Sequence, residues 1–562
     1  MHFLPQLEKF SQFSIAAAPG LLLGALLLAA GDARARIPTP SLKASLEASA
    51  PVRYCTGALV RPGCPDYRLI VEHVLARVGF GSTQPVRRQV YRVGLVSYLR
   101  DQLFPQTLPD PDFELQLEPY VSGPYAIWGK SIPTLESQFC NLGGPLCTDR
   151  ISNTRHANAS LSEVKFLRAG YSSRQLEAVL LDFWLNHFNV DASEKIARWT
   201  EQDYEQVSLR PHVLGRFEDL LLGMTQGIAM LDYLDLRRNV SGNTNENFAR
   251  ELLELHTVGK IGTYDEEDVQ QVTLILTGWT YNGNREFLYR PNRHDNSVKV
   301  VTLEHTEPWV FDGELGCDGI PASEFENEGH VLLCRLARHP RTAERMSRKL
   351  IGRFVTEHPS DELVKRVASV WLRTKGNLRH VMAAILFSRE FLSLKHAGAK
   401  VKRPYLYAAS LVRAVGPGSE GSSELVDQAH TRARERDSFH GIMGDLSELG
   451  EGLHLAPNPT GYPETSAAWA SAGGLLGRMN LAERIVREIP DPATHWRIPQ
   501  RASAREIVIR LEIAISPGVL TPDTREAIAD YIENGLPPDA SLNERIRQAA
   551  RVLLASPQFM LH

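Results

Sequence analysis

Glu251 and Glu254 stand three residues apart, with Arg250 beside them and Asn247 one turn earlier. At about 100° per residue, these side chains and Asn243 fall on one polar stripe of a helix. Phe248, Leu252 and Leu255 form an apolar stripe on the other side. Arg250 is four residues from both Glu246 and Glu254, so pairs along the helix are expected. The stripe has two readings. Exposed, it is a solvated face whose ion pairs contribute little. Buried, it is a cluster that must be compensated, because an isolated carboxylate in low dielectric is costly. Arg250 and Asn247 would then make a structural network, or a divalent ion would be held. A second pair, His294-Asp295, lies on a loop between the β-like runs FLYR and SVKVVTL, and loops carry functional groups more often than helix faces do. Alternatively, Asp295 only orients a turn through its own backbone bonds. The catalytic expectation is that Glu251, Glu254, His294 and Asp295 converge in one cleft. Glu251, Glu254, His294 and His187 would be the metal ligands, a set suited to zinc, manganese or iron. His187 also reads as a packed core histidine, and His256 points away from the polar stripe.

The elements that would position these groups are helical. Asn243 with Glu246 resembles a capping box, Gly259 is placed to stop the helix, and Asp265 with Asp268 starts a second one. Its apolar positions are Val269, Val272, Leu274, Ile275 and Leu276. Residues 67–78 read as a first helix ending at Gly79, and 174–189 as a helix with an aromatic face of Phe183, Trp184, His187 and Phe188. Pro340 opens another, with Ala343, Met346, Leu350 and Phe354 buried. Arg341, Arg345 and Arg348 line its other side, as a solvated basic face or an anion site. Residues 105–160, with several prolines, read as a long structured insertion carrying one disulfide. The fold class is mostly α: a multi-helix body over 67–415 with a small β element near 281–304, a Gly/Ser-rich break at 416–424, and a helical C-terminal lobe over 425–562.

Composition bounds the function. The 562 residues are 43% hydrophobic and 23% charged with a net charge of −4, which suits a soluble globular protein and argues against nucleic-acid binding. Residues 1–36 read as a signal peptide. Their apolar run at 15–30 contains Pro19 and Gly20 and is short for a membrane span, and Ala33-Arg34-Ala35 offers a cleavage site. A linker over 37–66 follows. The protein is therefore expected in the periplasm or outside the cell, with no transmembrane span after cleavage; a retained anchor is the alternative. Six cysteines fall into three local pairs: Cys55 with Cys64, Cys140 with Cys147, and Cys317 with Cys334. An even count in an exported chain argues for disulfides. Proximity alone suggests that pairing. No C-x-x-C, G-x-S-x-G, H-E-x-x-H or dinucleotide fingerprint is present.

NENFARELLELHTVG at 245–259 and TYDEEDVQQVTLILTGW at 263–279 closely resemble the signature of the bacterial family called domain of unknown function eighteen hundred. HVLARVGFGST, RQLEAVLLDFWLNHFN, PTGYPE and LLASPQF are similar to further segments of that family, so the resemblance runs from about Tyr67 to the end. Leu185 stands where a second histidine often appears, which weakens a two-histidine metal site there, and Glu451 stands where Gln is common. The resemblance implies no established activity. It does imply a partner, since the family looks like a regular companion of a sulfatase-like family, domain of unknown function fifteen hundred and one. Two functions stay open: a metal-assisted hydrolase of the periplasm or exterior, and a non-catalytic accessory or binding protein acting with that sulfatase-like partner.

Overall fold

Apolar residues recur at helical spacing through most of the chain, and helices are what the computed structural model contains, with two small hairpins of strands between them. It describes residues 66–122, 126–138, 150–194, 196–260, 262–304, 306–324, 326–416 and 441–562. Residues 1–36, where a signal peptide is expected, nearly all of the expected linker and the Gly/Ser-rich stretch from 417 lie outside the described residues. So do Cys55, Cys64, Cys140 and Cys147, the cysteines of two of the three expected disulfides. The third pair, Cys317 with Cys334, is a disulfide. Among the described residues, no helix is long and apolar enough to cross a membrane.

One contiguous apolar cluster runs from Tyr67 to Met560. The helix Pro404–Val415 is buried along nearly its whole length, and it packs on Arg150–Tyr171 on one side and on Ala472–Arg487 and Ala504–Ile515 on the other. A helix buried all round is expected to be apolar all round, and PYLYAASLVRAV nearly is. The helices Tyr67–Val78 and Pro340–Phe354 appear where spacing places them, the latter with Ala343, Met346, Leu350 and Phe354 fully buried. The β element consists of Trp279–Tyr281 paired antiparallel with Phe287–Tyr289, and Lys299–Val301 with Trp309–Phe311. The stretch 105–160 is more regular than its prolines suggest. It contains the helices Pro111–Val121 and Ile132–Gln138 and the start of Arg150–Tyr171. Pro111 sits in the first turn, where its missing N–H is no loss.

The 243–279 hairpin departs from its expected geometry in two places. The helix begins at Asn247, and Glu246 makes no side-chain cap; the Asn247 N–H is taken by Asn245 Oδ1 at 3.0 Å instead. After Glu251 the helix widens into a π turn, Leu252–His256. The wider turn rotates later side chains, so Leu252, Leu253 and His256 are buried while Leu255 is only half-buried. The stop and restart are as expected. Gly259 takes φ +90°, its N–H donates to Leu253 O at 2.9 Å, and Asp265 with Asp268 forms a reciprocal capping box. Leu252 is fully buried, so Leu252→Ala should lower the unfolding free energy by about 2–5 kcal/mol in urea titration. A loss under about 0.5 kcal/mol would place that side chain outside the core.

Candidate functional site

The residues singled out by spacing occupy three neighbourhoods. Arg250 pairs with Glu246 at 3.3 Å and Glu266 at 2.6 Å, in the open, and not with Glu254. Glu254 pairs with Lys260 at 3.3 Å and accepts from the Tyr264 hydroxyl at 3.4 Å. Glu251 is half-buried, and burial, then the Glu254 charge, raises its carboxyl. Asn247 Nδ2 donates to Leu234 O at 3.4 Å. These contacts gather at the start of the second hairpin helix, Glu266–Ile275.

His294 and Asp295 sit past its other end. The His294 Nδ1–H donates to Thr277 O at 2.9 Å, and its Nε2 lies 2.8 Å from Glu328 Oε1. Lys299 Nζ shares that carboxylate at 2.6 Å. Asp295 orients its turn by accepting from Ser297 N–H at 2.9 Å, while its own N–H donates to Thr277 Oγ1 at 2.8 Å. Ten helical residues span about 15 Å, so Glu251 and Glu254 do not share a cleft with His294 and Asp295. His187 lies elsewhere again: its Nε2 meets His256 O at 3.3 Å and its Nδ1 takes Lys349 Nζ at 2.7 Å. Burial, then Lys349, His256 and Arg345, lowers its pKa well below the ordinary value. His187 and His294 each face a lysine ammonium, which a metal cation would have to displace. Among the described residues, no group of three or more His, Cys, Asp or Glu side chains is arranged to hold a metal ion. The basic face of Pro340–Phe354 is likewise spoken for. Arg341 pairs with Glu304, Arg348 with Glu344 and Asp361, and Arg345 donates to Leu255 O at 2.6 Å and Thr257 O at 3.2 Å.

What the fold does bring together is a buried ion cluster around Arg403, the residue before Pro404. Its Nη2 donates to Asp182 Oδ2 and its Nη1 to Glu464 Oε1, both at 2.6 Å, and its Nε lies 3.1 Å from Glu451 Oε1. Lys165 Nζ reaches the other Asp182 oxygen at 3.0 Å. Burial alone would raise the Asp182 carboxyl, but Arg403, Lys165 and Arg353 together hold it at about 2. Glu451 accepts from the Tyr405 N–H at 2.9 Å, yet burial outweighs Arg403 and leaves its carboxyl raised. A third full negative charge on one guanidinium is thus disfavoured. Asn186 clamps the 459–464 loop: its Oδ1 accepts from Tyr462 N–H at 2.7 Å and its Nδ2 donates to Tyr462 O at 2.9 Å. Gly461 is required at this closure, since a Cβ there would lie 2.1 Å from Asn186 O.

Beside this cluster is a cavity of about 20 Å³, room for a water molecule, lined by Lys165, Asn186, Asn189, Glu201 and His454 among others. Glu201 and Glu205 are four residues apart, where the helix Ala197–Asp203 passes into the π turn Tyr204–Leu209. His454 Nδ1 lies 3.3 Å from Glu201 Oε1. Burial, then the Glu205 and Asp191 carboxylates, raises Glu201 well above the usual carboxylate range, with Lys165 opposing. Burial, then Lys165 and Arg168, pushes His454 well below its ordinary value, with Asp182 opposing. The site thus sets a carboxyl shifted upward 3.3 Å from an imidazole shifted downward, both by burial first, and perturbed pairs of this kind suit acid–base chemistry.

Spacing singled out none of Lys165, Asp182, Glu201, Glu205, Arg403 or His454. A usable signal was present: Asp182 interrupts the apolar run VLLDFW, and His454 lies between Leu453 and Leu455. A lone polar group inside an apolar helix must find a partner.

Asp182 also sets an acid limit. Its pKa is depressed from an ordinary 3.8 to about 2, so its contribution is present above about pH 4 and lost as pH falls through about 2. Asp182→Asn should destabilise by about 3–5 kcal/mol at pH 7, because it leaves Arg403 and Lys165 short of a charge. The variant should also lose less stability than the wild type between pH 4 and 2 in urea titrations. Parallel pH curves for the two proteins would contradict this assignment.

The family model described as "Protein of unknown function (DUF1800)" matches residues 73–561. No curated protein and no solved structure matches the chain. The matched range takes in the Arg403 cluster, the acid–imidazole pair and the 243–279 hairpin. The chain belongs to this DUF1800 family, whose activity is not established.

Proposed function

We propose that the protein is exported to the periplasm or cell exterior and acts there as a hydrolase, with Glu201 as its general acid. One observation carries this reading: a buried carboxyl, pushed upward by burial and by Glu205, lines a water-sized cavity 3.3 Å from the His454 ring. Perturbed acids of this kind concentrate at reactive centres. The metal-assisted form, through Glu251, Glu254, His294 and His187, has less support, given the lysines that face both histidines. The small volume of the cavity favours a second reading. A site with room only for water suits an accessory protein whose ion cluster is structural, working beside a sulfatase-like partner.

A panel of fluorogenic carboxylic, sulfate, phosphate and glycosidic esters separates the two. Wild-type turnover of one class is expected to fall about 10²–10⁴-fold in Glu201→Gln, with the urea midpoint nearly unchanged because Gln keeps the shape. Equal turnover in the variant would overturn the role of Glu201. No turnover of any class by the wild type would leave the accessory reading.

A further inference from the structure

An ester cannot enter the cavity beside Glu201 as it stands, because about 20 Å³ is room for one water molecule. Most of the cavity wall comes from packed helices: Lys165 from Arg150–Tyr171, Asp182 and Asn186 from Gln175–His187, and Glu201 from Ala197–Asp203. One part of the wall differs. Tyr462 reaches the cavity from an irregular strap, residues 455–463, in which Pro457, Asn458, Thr460 and Pro463 are exposed. The strap leaves the body and rejoins it at one place, since Glu451 before it and Glu464 after it both contact Arg403. The His454 carbonyl accepts from the Ala192 N–H at 2.8 Å, and Tyr462 Oη donates to Gly452 O at 2.8 Å. A surface loop with adjoining ends, packed by its own side chains, is an Ω-loop, and such loops are frequently functional.

Between the fixed ends, two asparagines hold the strap down. Asn189 Nδ2 donates to Ala456 O at 2.9 Å and to Asn458 O at 2.8 Å. Asn186 accepts from the Tyr462 N–H and donates to the Tyr462 carbonyl. These bonds are uncharged, and water can replace each of them. The far end is held more firmly, by the Glu464 ion pair and by Trp469 Nε1, which donates to Pro463 O at 2.8 Å. Pro457, Pro459 and Pro463 fix φ and stiffen the piece between. Left-handed backbone at His454, φ +59°, and at Gly461, φ +69°, gives the strap a sharp bend near each end.

We infer that the 455–463 strap is the lid of the candidate active site, latched by Asn186 and Asn189, and that it lifts to admit substrate and closes to exclude water. This rests on the reading of the cavity as a reactive centre and deepens it by naming its entrance. Lifting the strap withdraws Tyr462 from the wall and leaves the Arg403 pairs with Asp182 and Glu451 in place. The open state admits the ester, and the closed state restores the dry surroundings in which Glu201 faces His454.

The test uses the full chain carrying Val190→Cys, a buried position on the cavity wall, with Val179→Cys as control, a fully buried position on the helix Gln175–His187. The probe is methyl methanethiosulfonate, and labelled peptides are identified by mass spectrometry. Position 190 should be modified at least about tenfold faster than position 179, because a lid opens more readily than the whole fold. Asn186→Ala removes a latch, and Gly461→Ala pushes the strap away, since its Cβ would lie 2.1 Å from Asn186 O. Each should speed labelling at 190 by a further factor of about ten or more and leave position 179 within about twofold, with urea midpoints confirming that the variants are folded. Equal rates at 190 and 179 in every background would mean that the cavity is reached only by unfolding, and would overturn the lid. Fast labelling at 190 that neither substitution changes would place the entrance elsewhere, and would overturn it too. Labelling needs no substrate, so it decides the lid by itself, while the ester panel decides the hydrolase reading.

Discussion

The Arg403 guanidinium is the constraint on which the rest of the structure depends. Three carboxylates from two separate stretches of chain, Asp182 on one and Glu451 and Glu464 on the other, converge on one buried cation. Removing charges from water is costly, and a buried pair recovers that cost only with close geometry and satisfied remaining atoms. The planar fork of arginine meets that demand better than an ammonium could. The partners cannot be exchanged singly, because each one left alone is a buried charge. This ties the 404–415 helix, the 175–187 helix and the 451–464 segment into one arrangement. The same arrangement walls the cavity where Glu201 meets His454.

Excess positive charge near the cavity and excess negative charge within it have separate effects. Beyond burial, Lys165 and Arg168 push the His454 ring downward, and Glu205 pushes the Glu201 carboxyl upward. Both shifts follow from burial first and from neighbours second, so they require the cluster to stay closed. A site that opened to water would lose both shifts. The function proposed here is therefore inseparable from the packing that surrounds it.

Much of the fold was legible in the sequence, and little of the site. Gly259, the Asp265–Asp268 box and Pro340 act through their own local chemistry, and each marks its element where the structure has it. The apolar stripe of Pro340–Phe354 is equally local. The π turn at Leu252–His256 was not legible, since one extra residue in a turn leaves no mark on composition, and it moved Leu255 outward. The expected Glu251–Glu254–His294–Asp295 cleft failed for a related reason. Periodicity reports which side chains share a helix face and not which faces meet. Asp182 and Glu464 are far apart in the chain, and only tertiary packing puts both carboxylates 2.6 Å from the Arg403 guanidinium. The isolated polar residues within apolar runs were the better guide, because their burial must be compensated wherever the partner comes from.

The central claim is that the three-way pairing at Arg403, rather than its charge alone, holds these segments together. Hydrogen exchange followed by mass spectrometry on the wild type and Arg403→Lys tests it most directly, since lysine keeps the charge but cannot span three carboxylates as a fork. The account predicts that amides of 175–187, 404–415 and 451–464 lose protection together in the variant, at least tenfold, as one unit opens. Loss of protection confined to a single turn around residue 403, with the other two segments unchanged, would contradict it.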